Sequence, residues 1–370
     1  MLEHRFNGPP FTIGIEEELM ILDPETLDLT QAVEGILADV PPQFEGRVQP
    51  EFMQSFLEVS TTPCPDVPSA GRELVDLRRA VTEIAERRGA RIGAMGTHPF
   101  ARWEDQLIVD RPRYHRVEEE LRYIARQFLI FGTHVHVGIE GADRAIYVAD
   151  GIRRYLPLML ALSSNSPFLR GQRTGMMSSR TPVYRALPRA GIPPHFGSWD
   201  AYSSRVEVMM KAGAIQDYTF VWWDVRPHPN LGTVEVRVFD QQTRVEITLS
   251  LAALTVSMAH QLCAMYNDGL ELTEYPTELV DDNKVRGAIQ GMDGVLVDFW
   301  AGESVPAERF ARGLLGVLRE HAQELGCEHE LAGIEVLLHG NTGAHRQLRI
   351  YQRDPDLKAL VREVIEVSRA

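Results

Sequence analysis

Cysteine is scarce in this 370-residue sequence, and no segment has the look of a targeting or membrane sequence. The cysteines, Cys64, Cys263 and Cys327, are odd in number and unevenly spaced. Such an arrangement disfavours a disulfide framework and favours a reducing compartment. The N-terminus lacks the apolar core of a signal peptide, and we find no run of about 18 apolar residues. We therefore predict a cytoplasmic protein without a membrane partner.

Basic residues are also fewer than acidic ones. The sequence has 38 Lys and Arg against 52 Asp and Glu, which gives a formal net charge of −14. This balance, without a Lys/Arg-rich run, argues against a nucleic-acid partner. The motifs GxxxxGK[ST], GxGxxG, HExxH and CxxC are absent, which argues against the common phosphate-binding loops and against a closed zinc site. The length is sufficient for a large core in one or two domains.

A short run of acids lies inside the first predicted strand. Residues 11–20, FTIGIEEELM, show the two-residue period of a strand. Glu16 and Glu18 therefore share one face, whereas Glu17 points to the opposite, apolar face. Two carboxylates about 4 Å apart repel by about 4 kcal/mol at an effective dielectric of about 20, so we expect a cation between them. A solvated edge strand that carries charge against aggregation is the alternative.

A second acid pair follows in residues 49–62, whose end is typical of a strand. Glu51 and Glu58 are seven residues apart and would lie on opposite faces of a regular strand. A bulge or a break would be needed to bring both carboxylates to one site. Two exposed acids are the alternative interpretation.

A histidine pair and a Glu–Arg pair occur on two later strands. His134 and His136 alternate with valines in FGTHVHVG, so both imidazoles share a strand face. They indicate a metal or phosphate site, or else satisfied core histidines. In residues 233–239 strict alternation predicts that Glu235 and Arg237 share the face opposite three valines. They form either a surface ion pair, worth roughly 0.2–1 kcal/mol, or a metal ligand beside a phosphate-binding guanidinium.

Three loop features leave both a ligand role and a plain structural role open. Arg170, Arg173 and Arg180 lie in a glycine-bearing basic segment that suits an anion clamp, because guanidinium groups bind phosphate or carboxylate bidentately. A solvated loop is the alternative. His98 either contacts a ligand or caps the short strand before it. Arg346, after the turn in GNTGAHRQLR, either contacts a ligand or simply lies at a helix start.

The remaining patterns are mainly helical. Periodicity predicts a helix over residues 69–89 with Ser69 as its N-cap. The other predicted helices are 112–128, 143–164 with a break near Pro157, 199–212, 245–267, 276–289, 306–325, 330–339 and 355–368. Further strands are predicted at 90–95, 219–225 and 294–299. We predict one domain over 1–370, with sheet-forming blocks in 11–240 and a mainly helical part in 244–370.

Six ordered blocks resemble the signature blocks of the type 2 glutamate–cysteine ligase-like carboxylate–amine ligases. They are GIEEEL, FLEVSTTPC, GTHPFA, FGTHVHVG, ALSSNSPFLRGQRTGMMSSR and WWDVRPHPNLGTVEVRVFD. The resemblance implies an α+β fold similar to the catalytic domain of glutamine synthetase. In that fold a curved, mainly antiparallel sheet has helices packed outside, and a funnel holds ATP and metals.

The resemblance also implies roles for individual residues. Its metal ligands correspond to Glu16, Glu18, Glu51, Glu58, His134 and Glu235. Arg237 corresponds to the catalytic arginine that contacts phosphate. Contacts to substrate or phosphate are implied for His136, Arg173 and Arg180, although some relatives carry Asn at the position of His136. The implied cofactors are ATP and Mg²⁺ or Mn²⁺.

The expected activity is that of an ATP-dependent carboxylate–amine ligase, with glutamate and cysteine as the first candidate substrates. The carboxylate is activated as an acyl phosphate, and the amine then displaces phosphate. Alternatives are a different acid and amine pair, a kinase-like reaction that stops at the acyl phosphate, a metallohydrolase, or a non-catalytic protein that binds metal and nucleotide. The expected partners are small-molecule substrates, and a homodimer is left open.

Overall fold

The computed structural model describes residues 2–299 and 301–369. In chain order its strands are β1 (Ile13–Leu22), β2 (Val48–Pro50), β3 (Phe56–Ser60), β4 (Arg91–Gly93), β5 (Gly132–Gly138), β6 (Phe168–Leu169), β7 (Gln172–Arg173), β8 (Ala190–Gly191), β9 (Trp222–Trp223), β10 (Val225–His228), β11 (Thr233–Asp240), β12 (Val295–Asp298) and β13 (Glu303–Pro306). Its α-helices are α1 (Val33–Ala38), α2 (Val67–Arg87), α3 (Pro112–Leu121), α4 (Tyr123–Arg126), α5 (Ala142–Arg153), α6 (Leu156–Ser163), α7 (Arg180–Arg185), α8 (Trp199–Lys211), α9 (Val245–Asn267), α10 (Thr277–Gln290), α11 (Ala307–Glu324), α12 (Glu328–Ala332), α13 (Glu335–Leu338), α14 (Gly343–Arg353) and α15 (Leu357–Ser368).

Seven of these strands form one antiparallel sheet. Their order is β10–β11–β5–β1–β3–β2, and β4 also pairs with β1. The strands that carry the acid run, the histidine pair and the Glu–Arg pair are therefore direct neighbours. The other strands form the two-stranded pairs β6–β7, β8–β9 and β12–β13.

Helices cover one face of the sheet. Helix α2 packs on β1, and α9 packs on both β1 and β5. Glu17 points to this face, where its carboxylate pairs bidentately with the buried Arg78 of α2 at N–O distances of 2.6 and 2.7 Å. The predicted alternation is thus confirmed for residues 13–20, because Glu17 lies opposite to its two neighbours, whereas Phe11 has a positive φ of 61° and precedes the strand.

Helix α9 has the bounds predicted from the sequence. By length and composition alone it could cross a membrane, but 78% of its apolar 18-residue window is buried inside the protein. It contacts α2, α5, α11 and α12. Helix α9 is therefore a core helix of the fold.

The predicted N-cap of α2 is wrong by three residues. Asp66 has the extended backbone of an N-cap, and its side chain accepts a hydrogen bond of 2.7 Å from the Ser69 backbone N–H. Ser69 is thus the donor in the cap rather than the capping residue. An aspartate followed by Val67 and Pro68 was the better signal, because proline is favoured in the first turn of a helix.

Three other elements differ from prediction. The predicted helix 112–128 is interrupted at Arg122, whose positive φ of 51° separates α3 from α4. The predicted strand 219–225 begins as the 3₁₀ turn Tyr218–Phe220 before β9. The predicted helix 330–339 consists of the two short helices α12 and α13. The α+β class with a mainly antiparallel sheet and helices packed against it is confirmed, while the single-domain organisation stays a prediction.

Candidate active site

The polar side chains of the central strands lie on the sheet face opposite to Glu17, where they face one another in pairs. The opposed pairs are Glu16 with His134, Glu18 with Glu58, and His136 with Glu235. Antiparallel register sets which residues face each other, and the two-residue period keeps all six on one face. The sheet thereby gathers groups that are far apart in the sequence.

Glu16 is the link between the two histidines. Its Oε2 lies 3.0 Å from Nδ1 of His134, and its Oε1 lies 3.3 Å from Nε2 of His136. The second contact lacks hydrogen-bond geometry, and Nε2 of His136 has no hydrogen-bond partner among the described residues. Nδ1 of His136 lies 3.0 Å from the Thr233 hydroxyl. A buried ring nitrogen next to two carboxylates is therefore left available to a ligand.

Glu51 reaches the same face through a break in the chain. Strand β2 pairs with β3 so that Gln49 faces Glu58. Glu51 directly follows β2, where the chain turns before it enters β3. Its Oε2 accepts a hydrogen bond of 2.6 Å from the Phe52 backbone N–H. The predicted need for a bulge or a break between Glu51 and Glu58 is confirmed.

These side chains form three overlapping sets of possible cation ligands. In each set the candidate ligand atoms lie within 4.8 Å of one another. The sets are Glu16, His136 and Glu235; Glu16, Glu58 and His134; and Glu18, Glu51 and Glu58. Carboxylates with one imidazole are the donors preferred by Mg²⁺ or Mn²⁺. The residues present therefore fit hard divalent cations.

Electrostatics in the all-carboxylate set favour a cation. Burial, together with the nearby Glu51 carboxylate, raises the pKa of Glu18 to about 8. Burial also raises the pKa of Glu51, and it raises the pKa of Glu58 well above its usual range with help from Glu16 and Glu51. One buried and two half-buried acids that oppose ionisation would all be relieved by a bound divalent cation.

In the set around Glu235 the carboxyl pKa values are lowered rather than raised. Burial alone would raise the pKa of Glu235, but Arg226 and Arg237 outweigh it and hold the pKa well below the usual value. Burial of Glu16 is likewise outweighed by His136 and His134, so its pKa is lowered. Both acids therefore stay ionised in the folded protein.

Two arginines enclose the Glu235 carboxylate. Arg226 of β10 faces Glu235 across the sheet, and its Nε–H donates to Oε2 at 2.5 Å. The Arg237 guanidinium pairs with Oε1. The side chains of Glu235 and Arg237 are 1% and 13% exposed. The surface ion pair considered from the sequence is therefore wrong, because the pair is buried.

A β-bulge interrupts the alternation predicted for residues 233–239. Val236 faces Val135, but Phe239 faces Thr133, so two residues of β11 oppose one residue of β5. Arg237 is one of these two, and its backbone N–H donates to the Asp224 carbonyl at 2.7 Å. Bulges commonly re-aim a side chain beside an active site. The bulge thus helps to set the direction of the Arg237 side chain.

Arg180 is buried at the start of α7 and joins this site. Its guanidinium lies over the Tyr184 ring, 5.0 Å from the centroid. It also lies above Gly132, where a Cβ atom would come within 2.5 Å of Nη2. The glycine of the FGTHVHVG block is therefore required for the close approach of Arg180 to β5.

The predicted clamp of three arginines is not formed. Arg170 pairs with Glu104 at 2.6 Å, and Arg173 lies exposed on the β6–β7 hairpin. This hairpin turns at Gly171, whose φ is 79°, and separates both side chains from Arg180. Only Arg180 of the three lines the cavity beside the acids. Among the described residues that line this cavity Arg173 does not occur, so its predicted contact with substrate is not supported by the geometry.

The cavity beside the acids has a polar half and an apolar half. The polar half is formed by Glu18, Glu51, Arg113, His134, Arg180 and Arg237. The apolar half is formed by Phe52, Tyr114, Val117, Leu121, Ala125, Phe128, Ile130, Tyr184, Leu187 and Trp222. Helices α3, α4 and α7 supply half of the apolar wall. The cavity can therefore hold a charged group at the sheet and an apolar or aromatic group against the helices.

Sequence reasoning missed several residues of the site, namely Arg226, which pairs with Glu235, and three residues that line the cavity. Arg226 could have been found, because a hairpin turn in HPNLG sets Arg226 opposite Glu235. Arg113, Tyr114 and Tyr184 come from helices α3 and α7, which carry no recognisable motif. Their approach to the sheet depends on tertiary packing.

His98 is used within the fold. Its Nε2 lies 3.0 Å from the Leu27 carbonyl oxygen, and its Nδ1 accepts from the Ala101 backbone N–H at 2.9 Å. Burial lowers the pKa of His98 to about 4, so the ring is neutral. Both ring nitrogens are occupied, which favours the structural interpretation.

Known proteins resemble this chain over nearly its whole length. The model of glutamate–cysteine ligase family 2 matches residues 12–363. A Rubrobacter xylanophilus protein named "Putative glutamate--cysteine ligase 2-1" is 39% identical over 368 residues, which cover 100% of this chain and 97% of that protein. A Sorangium cellulosum protein named "Putative glutamate--cysteine ligase 2" is 41% identical over 360 residues, or 97% of this chain and 96% of that one.

A solved structure has the same fold. The glutamate–cysteine ligase of Francisella tularensis in complex with AMP aligns with a TM-score of 0.71 at 16% identity, covering 99% of this chain and 90% of that one. The family predicted from the six sequence blocks is thus confirmed. The chain belongs to glutamate–cysteine ligase family 2, whose members are ATP-dependent ligases that form carbon–nitrogen bonds.

Proposed function

We propose that this protein joins a carboxylate to an amine through an acyl phosphate, with glutamate and cysteine as the first pair to test. The observation that carries the proposal is the convergence of three cation-ligand sets with Arg237 and Arg180 on one sheet face. In the proposed reaction the substrate carboxylate attacks the γ-phosphorus of ATP and ADP leaves. The amine then attacks the acyl carbon, inorganic phosphate leaves, and an amide forms.

The acids and histidines are proposed to hold divalent cations. When bound, such ions would neutralise phosphate charge and orient the phosphate oxygens. Glu18, Glu51 and Glu58 supply the site of highest negative charge once they ionise. Glu16 is shared by the other two sets and keeps them next to each other. Loss of Glu16 or Glu58, each of which belongs to two sets, should therefore disturb more than one position.

Arg237 and Arg180 are proposed to contact the transferred phosphoryl group. Burial lowers the pKa of Arg237, but Glu235 outweighs it and raises the pKa well above the usual value, so the guanidinium stays charged. Glu235 also fixes the orientation of Arg237 through their ion pair. A preorganised guanidinium in a partly dry site stabilises developing charge at little reorganisation cost.

The apolar half of the cavity bears on substrate choice. Tyr114, Leu187 and Trp222 offer aromatic and aliphatic surface next to the acid Glu51. We propose that this wall holds an apolar or aromatic part of a substrate. Pocket side chains rather than signature blocks decide such specificity. The amine is therefore the part of the proposal that needs direct identification.

A product assay tests the proposal. The protein is incubated with ATP, Mg²⁺, glutamate and cysteine, and in parallel with pooled acids and amines, and products are identified by mass spectrometry. We expect one new amide together with equal amounts of ADP and phosphate. Release of ADP without an amide would instead support a kinase-like reaction. Nucleotide binding without ATP consumption across the panel would support the non-catalytic alternative.

A further inference from the structure

A second cavity lies outside the candidate active site and is rich in arginine. It has a volume of about 220 Å³ and lies between the start of α9 and helices α14 and α15. It shares no lining residue with the cavity beside the acids. Gln242 and Thr243 line it, and their carbonyls accept hydrogen bonds from Arg78, the partner of Glu17. This cavity is therefore associated with the helix-covered face of the sheet.

The charge of this cavity is opposite to that of the whole chain. Its lining includes Arg244, Arg346, Arg349 and Arg353, but the acid Glu363 is the single carboxylate among its lining residues. Glu363 pairs with Arg353. Three guanidinium groups thus converge without a lining acid to pair with, in a protein whose net charge is −14. Such a concentration of uncompensated charge is costly unless an anion neutralises it.

Arg346 is the least satisfied of these groups. Its side chain is half-buried and has neither an ion pair nor a hydrogen bond to any residue of 2–299 or 301–369. Burial lowers the pKa of Arg346, and the nearby Arg244 and Arg349 lower it further, although Glu246 acts in the opposite direction. Arg349 donates only to neutral groups, the Gly340 carbonyl and the Asn341 side chain.

Two helices begin at this cavity. Helix α9 follows Arg244 and α14 begins at Gly343, both of which line the cavity. Neither N-cap residue makes a side-chain capping hydrogen bond. The first N–H groups of a helix need acceptors, and the helix dipole favours negative charge there. In α14 the Ala344 N–H donates to the Ser164 carbonyl at 2.9 Å, so mainly the start of α9 adds to the attraction that the arginines exert on an anion.

Gln347 indicates independently that this cavity binds a ligand. It lines the cavity and is 2% exposed. Its Nε2 donates two hydrogen bonds of 2.8 Å to the Asn165 carbonyl and side-chain oxygens, which fixes the orientation of the amide. Its Oε1 is buried and has no hydrogen-bond partner among the described residues. A buried acceptor is normally satisfied, so a donor from a bound molecule would complete it.

We propose that this cavity is a binding site for a small oxyanion with two or more negative charges, held by Arg346, Arg349 and Arg244. The planar guanidinium fork binds both phosphate and carboxylate groups bidentately, so the shared chemistry is a multivalent oxyanion. A hydroxyl or amino group on the same molecule would satisfy Gln347. The role that the sequence left open for Arg346 is thereby assigned to ligand binding.

Calorimetric titration with inorganic pyrophosphate tests this site. The titration uses the full chain after its metals have been removed on a chelating resin, in a buffer without EDTA and without ATP, so its result does not depend on the proposed ligase reaction. We expect saturable binding of one pyrophosphate per chain. Arg346→Gln should weaken binding at least about ten-fold, because it removes a charged hydrogen-bond donor. A parallel titration with citrate distinguishes a phosphate-selective site from one that also accepts carboxylates.

Two control variants separate this cavity from other positive charges. Arg362→Gln removes an exposed arginine of α15 that does not line the cavity, and it should leave pyrophosphate affinity unchanged. Arg237→Gln alters the candidate active site, and it should also leave affinity unchanged. Should Arg346→Gln unfold, the exposed Arg349→Gln replaces it with the same expectation. Unsaturable binding, equal losses in Arg346→Gln and Arg362→Gln, or a loss specific to Arg237→Gln would each overturn the proposal.

Discussion

Three consecutive glutamates of β1 have opposite surroundings on the two faces of the sheet. Glu17 is fully buried against the helices, where Arg78 pairs with both of its oxygens and Thr248 donates to one of them. Glu16 and Glu18 point to the other face, where their neighbours include further acids and histidines. A carboxylate whose oxygens are already paired with protein donors has a structural role. A carboxylate that lies next to other carboxylates can instead bind a cation.

Metal removal should give the largest difference between the two faces. Within residues 2–299 and 301–369, no cationic side chain pairs with all of the acids around Glu18, whereas Glu17 has Arg78. We therefore expect ATP turnover to fall below detection in excess EDTA and to recover with Mg²⁺ or Mn²⁺. Turnover is followed by phosphate release, and circular dichroism checks that the fold persists. Undiminished turnover in EDTA would refute cation binding by the acids.

Removal of Glu17 should affect stability rather than chemistry. Glu17→Ala leaves the Arg78 guanidinium buried without its partner, which costs roughly 3–5 kcal/mol of unfolding free energy. Urea unfolding measures this loss, and turnover per folded molecule should stay normal.

The double variant Glu17→Leu with Arg78→Met is the control, because replacing both charges by apolar groups is often nearly neutral. A large loss in the double variant as well would show that contacts beyond the orphaned charge stabilise the fold, namely the ion pair itself or the bonds to the Gln242 and Thr243 carbonyls and the Thr248 hydroxyl.

Arg237→Lys tests the active face directly. Lysine keeps the charge but loses the planar fork that pairs with Glu235. If Arg237 contacts the transferred phosphoryl group, turnover should drop roughly 10²-fold or more, which corresponds to about 2.7 kcal/mol or more of barrier. Nucleotide affinity should fall much less, and the melting temperature should change little. Near-normal turnover in a well-folded Arg237→Lys protein would remove Arg237 from the mechanism.

Glu18→Gln should have the smallest effect on stability and the opposite sign to Glu17→Ala. The pKa of Glu18 is raised to about 8 in the fold, above its ordinary value of 4.5. The folded state therefore binds more protons than the unfolded state between these values, and stability falls as pH rises through this window. In EDTA at pH 8, Glu18→Gln should stabilise the protein, on the order of 1 kcal/mol.

The gain from Glu18→Gln should shrink as the pH is lowered towards 5, because Glu18 of the natural protein becomes protonated. Urea unfolding of both proteins at pH 5 and pH 8 measures this difference in unfolding free energy. A destabilised Glu18→Gln protein at pH 8 would contradict the raised pKa of Glu18 and the repulsion inferred among these acids.

Local sequence patterns predicted much of the site. The two-residue period of β1 and β5 correctly separated Glu17 from Glu16 and set His134 beside His136 on one face. The seven-residue spacing of Glu51 and Glu58 correctly required a break in the chain. These inferences succeed because strand geometry makes side-chain direction a local property. Regular alternation held through Val238 and ended only at Phe239, which joins Val238 in the core, since a bulge depends on pairing with a neighbouring strand.

Sequence alone determined the family, the acid-rich strands and the core helix α9, because each rests on residues that are contiguous or regularly spaced. Tertiary structure alone decided which arginines belong to the site, since Arg180 reaches β5 above Gly132 whereas Arg173 lies on an exposed hairpin. It also decided the arginine cavity, where Arg244 and Arg346 meet across about 100 residues of intervening chain. The interaction energy of charges from distant segments depends on the distance between them and on their burial. Neither quantity can be inferred from the spacing of residues in the sequence.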